Sequence, residues 1–108
     1  MVQDASEKDL RATEIVFDRD NLEILIYLVE QRKASFPKLA QKFEFDPNYL
    51  YKHLKALEYL ELVSGKWEDS DDQGYILIYS LKRLGKKVMK NLGVTKELIE
   101  RYKHSKHE

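Results

Sequence analysis

The 108-residue chain has no cysteine, no net charge, and only four glycines and two prolines. Without cysteine there can be no disulfide, no thiolate metal ligand and no thiol redox sensor. The few glycines form no glycine-rich phosphate loop. No apolar run approaches the ~18 residues of a membrane span. The N-terminal stretch MVQDASEKDL is acidic and polar, unlike a secretory signal. A cytoplasmic protein without membrane association is expected. Catalytic groups are also scarce. None of the three histidines has an evident serine or carboxylate partner, and the acidic residues are scattered over solvent-facing positions, so no enzyme is expected. His104 and His107 share a tail without a further ligand, so neither a metal nor a cofactor is expected.

What the chain does have is an unequal distribution of charge. Residues 1–20 sum to −3, residues 21–63 to zero, residues 64–81 to −3 and residues 82–108 to +6. Such segregation matters more for partners than the total does, although a charged run is also what a solvated helix face looks like. Hydropathy, 43% hydrophobic and 35% charged, fits one domain with a modest core.

Residues 46–63, DPNYLYKHLKALEYLELV, organise the rest. Asp46 is an N-cap acceptor and Pro47 suits the first helical position. Leu50, Leu54 and Leu57 then recur on one buried face, opposite Asn48, Lys52, Lys55 and Tyr59, with Tyr49 and Tyr51 on the flanks. An amide, lysines and tyrosines near the exposed start of a short helix are what reading base edges in a DNA major groove requires. An ordinary amphipathic surface helix would share this pattern.

Other elements fall into place around it. Ser6 opens a capping-box-like start for a helix over 6–17, SEKDLRATEIVF. Asp18 or Asp20 caps NLEILIYLVEQR, which is apolar nearly all round and must be covered on both sides, by this chain or by a partner. Lys33–Phe36 is a bridge or minimal strand, and Pro37 starts a helix with Ser35 as its cap. Glu44–Phe45–Asp46 is a connection short enough to make a helix-turn-helix. No glycine stands there, so an ordinary backbone conformation is expected at the turn. LVSGKWE and YILIYSL flank the polar DSDDQG as a β-hairpin, with Val63, Trp67, Tyr75, Leu77 and Tyr79 on one face and room for a bulge at Ser64–Gly65. The hairpin tip is acidic: Glu68, Asp69, Asp71 and Asp72 would be repelled by phosphates, leaving Lys66, Gln73 and Ser70 as contacts. A final helix, SLKRLGKKVMKNLG, buries Leu81, Leu84, Val88, Met89 and Leu92 and turns its lysines outward. Gly93 ends it, and Thr95 caps KELIERYKHS with Val94, Leu98, Ile99 and Tyr102 apolar.

The expected fold is mainly α with a small β-hairpin (α+β): a winged helix-turn-helix with extra N- and C-terminal helices. The expected divisions are 1–19 as an N-terminal arm or helix, 20–81 as the winged domain and 82–108 as C-terminal helices for dimerisation.

Three segments resemble MarR/ArsR-type winged-helix transcription regulators. YKHLKALEYLELV resembles the "HL-x-x-L-x-x-x-G-L-V" end of their recognition helices, YSLKRLGKK the "Y-x-L-T-x-x-G-K" segment after the wing, and FPKLAQKFEFDPNYL their helix pair. The likeness covers about residues 20–92, and small archaeal regulators look especially similar. It implies a homodimer that binds double-stranded DNA. Asn48, Tyr49, Tyr51 and Lys52 would then match exposed recognition-helix positions, and Ser35 and Lys38 the backbone-clamping start of the preceding helix; Lys55 on the same helix face and Lys66 in the wing are the further DNA contacts expected from the residues themselves. Leu84, Val88, Leu92, Leu98, Ile99 and Tyr102 are the residues expected at the dimer seam. Two positions depart from the pattern: Glu61 stands where glycine is usual, and the wing is acidic. A winged-helix module for protein–protein contact within a larger assembly is the competing expectation, favoured by the neutral net charge and the acidic hairpin.

Overall fold

The computed structural model describes residues 7–72, 74–93, 97 and 100–101. In chain order it contains α1 (Glu7–Phe17), α2 (Arg19–Gln31), β1 (Lys33–Ser35), α3 (Phe36–Phe43), α4 (Pro47–Tyr59), β2 (Val63–Ser70), β3 (Gly74–Leu81) and α5 (Arg83–Asn91). Side-chain caps fix three helix starts: Asp18 accepts from the Asn21 N–H, Ser35 from that of Lys38, and Asp46 from those of Asn48 and Tyr49. Each satisfies amide groups that the first helical turn leaves without a partner.

Three helix ends are closed by charged residues in the left-handed region. Arg32 has φ 74°, Glu44 φ 55° and Glu61 φ 64°. At the end of α3 the Phe45 N–H reaches Ala40 O at 3.1 Å and the Glu44 N–H reaches Gln41 O at 3.4 Å. At the end of α4 the Leu62 N–H bonds Leu57 O at 3.0 Å and the Glu61 N–H bonds Glu58 O at 2.9 Å. Both are the paired bonds of a Schellman motif, which normally places glycine at the left-handed position. The expectation of an ordinary backbone in the helix-turn-helix connection is therefore wrong. Closing α3 within so few residues requires the left-handed turn, and Glu44 adopts it without glycine. Glu61 shows why its position usually carries glycine in the look-alike regulators.

The strands form one antiparallel sheet in the order β1-β3-β2. Pairing of β2 with β3 runs without interruption from Val63↔Leu81 to Ser70↔Gly74, so Ser64–Gly65 holds no bulge. Gly65 instead makes room: a Cβ there would lie 2.7 Å from the Tyr79 ring. Val63, Trp67, Tyr75, Leu77 and Tyr79 share one face, as their alternation predicts.

The core draws on every layer. Ile24, Leu25 and Leu28 of α2, Leu39 of α3, Leu50, Leu54 and Leu57 of α4, Val63 and Tyr79 of the sheet and Met89 of α5 are all buried. Each such side chain contributes roughly 1.5–3 kcal/mol of burial. The C-terminal helix needs a second correction. Leu81 is the last residue of β3, and α5 starts at Arg83, so the buried positions are Gly85 and Met89 while Leu84 and Leu92 are 45% and 40% exposed. The strand runs further than the helical period suggests because Leu81 pairs with Val63. The Lys82 N–H bonds Leu62 O at 2.9 Å, and a Cβ on Gly85 would overlap that same carbonyl. The expected cap and stripe at Val94, Thr95, Leu98, Ile99 and Tyr102, together with Gln73, His104 and His107, lie outside the described residues.

Candidate nucleic-acid interface

Helix α4 sits with Leu50, Leu54 and Leu57 fully buried and Asn48, Tyr51, Lys52, Lys55 and Tyr59 exposed on the other side. Its outer face is therefore polar, with Lys52 and Lys55 as its cations, while the amides of its first turn are taken by the Asp46 carboxylate. Lys52 makes no ion pair among the described residues. Lys55 lies 3.7 Å from Glu58 and 5.2 Å from the Tyr51 ring centroid. Ser35 and Lys38 open α3: the serine oxygen is occupied by the Lys38 N–H at 3.2 Å, and the lysine side chain is exposed. Lys66 is exposed on β2, opposite Ile78.

A polar cluster ties α4 to the helices behind it. Buried Asn21 is its centre. Its Nδ2 donates to Ile15 O at 2.8 Å, which turns Oδ1 towards His53 Nδ1 at 2.7 Å. An amide oxygen only accepts, so His53 carries its proton on Nδ1. One side chain thus links the end of α1, the start of α2 and the middle of α4. Tyr49 adds a second tie, donating its hydroxyl to Asp20. That bond to a carboxylate, with burial and the charges of Asp20 and Asp18 behind it, pushes the Tyr49 hydroxyl from 10 up to about 12. Tyr49 is still 41% exposed, so part of it remains on the surface.

The donor atoms of Asp18, Asp20 and His53 lie within 4.8 Å of one another, the geometry of a small cation site. All three groups are already engaged within the protein. Asp18 caps α2, Asp20 holds Tyr49, and His53 bonds Asn21. His53 is a half-buried packing residue on the flank of α4.

An aromatic row continues the support. Tyr27 meets Phe43 at 5.7 Å, Phe43 stacks on Phe45 at 5.4 Å, Phe45 meets Tyr49 at 5.2 Å, and Tyr49 lies 4.3 Å from the His53 ring. Such contacts add about 0.5–1.5 kcal/mol each beyond area burial. They run from α2 across the turn onto the flank of α4 and leave its outer face untouched.

On the other side, Tyr79 joins α4 to the hairpin. It is buried, with Glu58 of α4 near its hydroxyl. Burial first, then the nearby Glu58 and Tyr51, raise its hydroxyl to about 12. Sequence reasoning gave no role to Asn21, Asp20 or Tyr79 as supports of α4. Their partners are 21 to 32 residues away, beyond any local pattern.

The hairpin itself differs in charge from α4. Glu68 pairs with Lys33 at 3.7 Å, while Asp69, Asp71 and Asp72 are exposed without ion pairs among the described residues. Among the described residues no helix is long and apolar enough to cross a membrane.

No family model matches the chain, and no curated protein matches it in sequence. Solved structures do. A transcriptional regulator homologue from Pyrococcus horikoshii superposes with a TM-score of 0.69 at 24% identity, over 88% of this chain and 94% of that one. The reduced form of the transcriptional regulator YodB from B. subtilis gives 0.65 at 19% identity, over 83% and 86%. Rv0081 of M. tuberculosis gives 0.66 at 18% identity, over 94% and 95%. The fold is the α+β winged helix of such regulators, and the expected resemblance to MarR/ArsR-type proteins holds at that level.

Proposed function

We propose that this protein is a homodimeric, sequence-specific regulator of transcription that binds double-stranded DNA with α4 in the major groove. It acts in the cytoplasm by binding rather than by catalysis. The observation that carries this reading is the outer face of α4, where Asn48, Tyr51, Lys52 and Lys55 stand exposed over a fully buried leucine stripe. The likeness to the Pyrococcus protein and to YodB, both transcriptional regulators, supports it.

In this reading Asn48 pairs with an adenine edge and Lys52 reaches guanine acceptors or a phosphate. Tyr49 and Tyr51 border the groove, with Tyr49 held in place by Asp20. Lys55, Lys38 and the start of α3 at Ser35 contact the phosphate backbone, with Lys66 the one basic side chain of the wing available to it. The dimer seam runs along Leu84, Val88 and Leu92 and continues through Leu98, Ile99 and Tyr102. Exposed Leu84 and Leu92 support that assignment, since a second copy would cover them. Two recognition helices would then occupy successive major grooves about 34–36 Å apart.

The test is fluorescence anisotropy on promoter DNA across a salt titration, with wild type and the Lys52→Ala/Lys55→Ala double variant. Loss of two phosphate-neutralising lysines should weaken binding about ten- to a hundredfold and lower the salt slope by about two. Binding that ignores salt, or none, would defeat the reading. Truncation after Gly93 should leave monomers in light scattering; an unchanged mass would put the seam elsewhere.

A further inference from the structure

The hairpin face that carries Tyr79 changes character along its length. At its root Val63 and Tyr79 are buried in the core. Towards the tip the same face carries Trp67 and Tyr75, 67% and 73% exposed, and between them Asp69, the cross-strand partner of Tyr75. Trp67 is the only tryptophan in the chain. Its ring stays exposed although its cross-strand partner Leu77 packs against the core. Large exposed aromatics on a rigid strand are common anchors of protein interfaces.

The surroundings of these rings narrow the choice of partner. Asp69 lies on the same face, and Asp71 and Asp72 follow in the turn, all without ion pairs among the described residues. Phosphates would be repelled here, and an apolar partner would have to desolvate carboxylates. A guanidinium group meets both demands at once. Its flat face stacks on an aromatic ring, and its fork of donors satisfies a carboxylate. A lysine ammonium satisfies the charge but stacks less well.

We propose that the outer half of the hairpin is a docking surface for an arginine-rich segment of a partner protein. Trp67 and Tyr75 supply the stacking platform, and Asp69, Asp71 and Asp72 the counter-charges. The surface shares no residue with the outer face of α4, so the two can be tested independently and one can fail without the other.

The lone tryptophan makes the experiment direct. The full chain is titrated with a peptide of arginines interspersed with glycine, with its lysine counterpart and with duplex DNA, while Trp67 emission is followed. The arginine peptide should change the emission saturably and bind several-fold tighter than the lysine peptide. The triple substitution Asp69→Asn/Asp71→Asn/Asp72→Asn, isosteric and on exposed positions, should weaken it by about tenfold. Trp67→Leu and Tyr75→Leu, followed by anisotropy of labelled peptide, should each weaken it several-fold with circular dichroism unchanged. Equal binding of the two peptides would reduce the surface to bulk charge and overturn the proposal. So would indifference to the asparagine variant, which would put the peptide elsewhere, or a Trp67 response to DNA as large as that to the arginine peptide.

Discussion

The outer face of α4 and the outer half of the hairpin are both polar, aromatic and solvent-exposed, yet they carry opposite charge and are held in different ways. On α4 the exposed Lys52 and Lys55 stand on a helix fixed by a leucine stripe, an aromatic row and the Asn21–His53 and Tyr49–Asp20 bonds. The hairpin tip exposes Asp69, Asp71 and Asp72, and the hairpin is held nearer its root, by buried Tyr79 and the Lys33–Glu68 pair. In a winged helix the two regions are neighbours, and a single polyanion is poorly served by both. Under the proposed function this difference is a division of labour, with the cationic helix addressing nucleic acid and the acidic hairpin something else.

What joins the two regions is the short stretch from Glu58 to Leu62, and variants there test whether they move as one. Gly85→Ala should have the largest effect. Its methyl would overlap Leu62 O, a backbone atom with no rotamer to give, so α5 must lift from the joint. Overpacking of that kind costs about 2–3 kcal/mol, read as a lowered urea midpoint. If stability holds, α5 is seated elsewhere and the joint is looser than described.

Alkali should act on the same joint more gently. The hydroxyls of Tyr79 and Tyr49 both titrate at about 12 in the folded chain against the ordinary 10. A raised pKa means the folded state holds its proton more tightly. The stability this lends is complete below pH 10 and is lost as pH climbs through about 12. Urea unfolding between these limits should show the decline, and Tyr79→Phe should flatten part of it while absorbance at the tyrosinate band loses one of its two latest-titrating contributions. An equally steep decline in the variant would remove Tyr79 from the account.

The smallest effect, and of opposite sign, is expected from Glu61→Gly. Glycine relieves a left-handed φ of 64° at the cost of the exposed Lys82–Glu61 ion pair at 2.6 Å. Relief is worth about 1 kcal/mol and the pair a few tenths, so a melting temperature higher by a few degrees is expected. No change would mean that the ion pair compensates fully for the backbone.

Much of this architecture is legible in the sequence because its signals are local. Asp46 and Pro47 announce α4, Leu50, Leu54 and Leu57 give its buried face, and alternation from Val63 to Tyr79 gives the hairpin face. The departures have physical causes too. Glu44 breaks the expectation that a turn without glycine is ordinary, because Schellman bonds at the end of α3 outweigh a modest conformational cost. Leu81 reads as part of the last helix since its spacing to Leu84 and Val88 is helical, while its actual partner Val63 lies in β2. For the candidate interface, sequence reads which side chains project outward from α4. It does not read that the Tyr49 hydroxyl is already engaged by Asp20, nor that one acid group caps while its neighbour clamps, because those facts depend on how distant segments meet.

The Asn21 amide is short, and it holds the Ile15 carbonyl with one end and His53 with the other. It works as a pin through three helices: the tail of α1 and the middle of α4 cannot shift apart without pulling it out. The flank of α4 is thus anchored through one amide to α1, a helix that carries neither Lys52 nor Lys55.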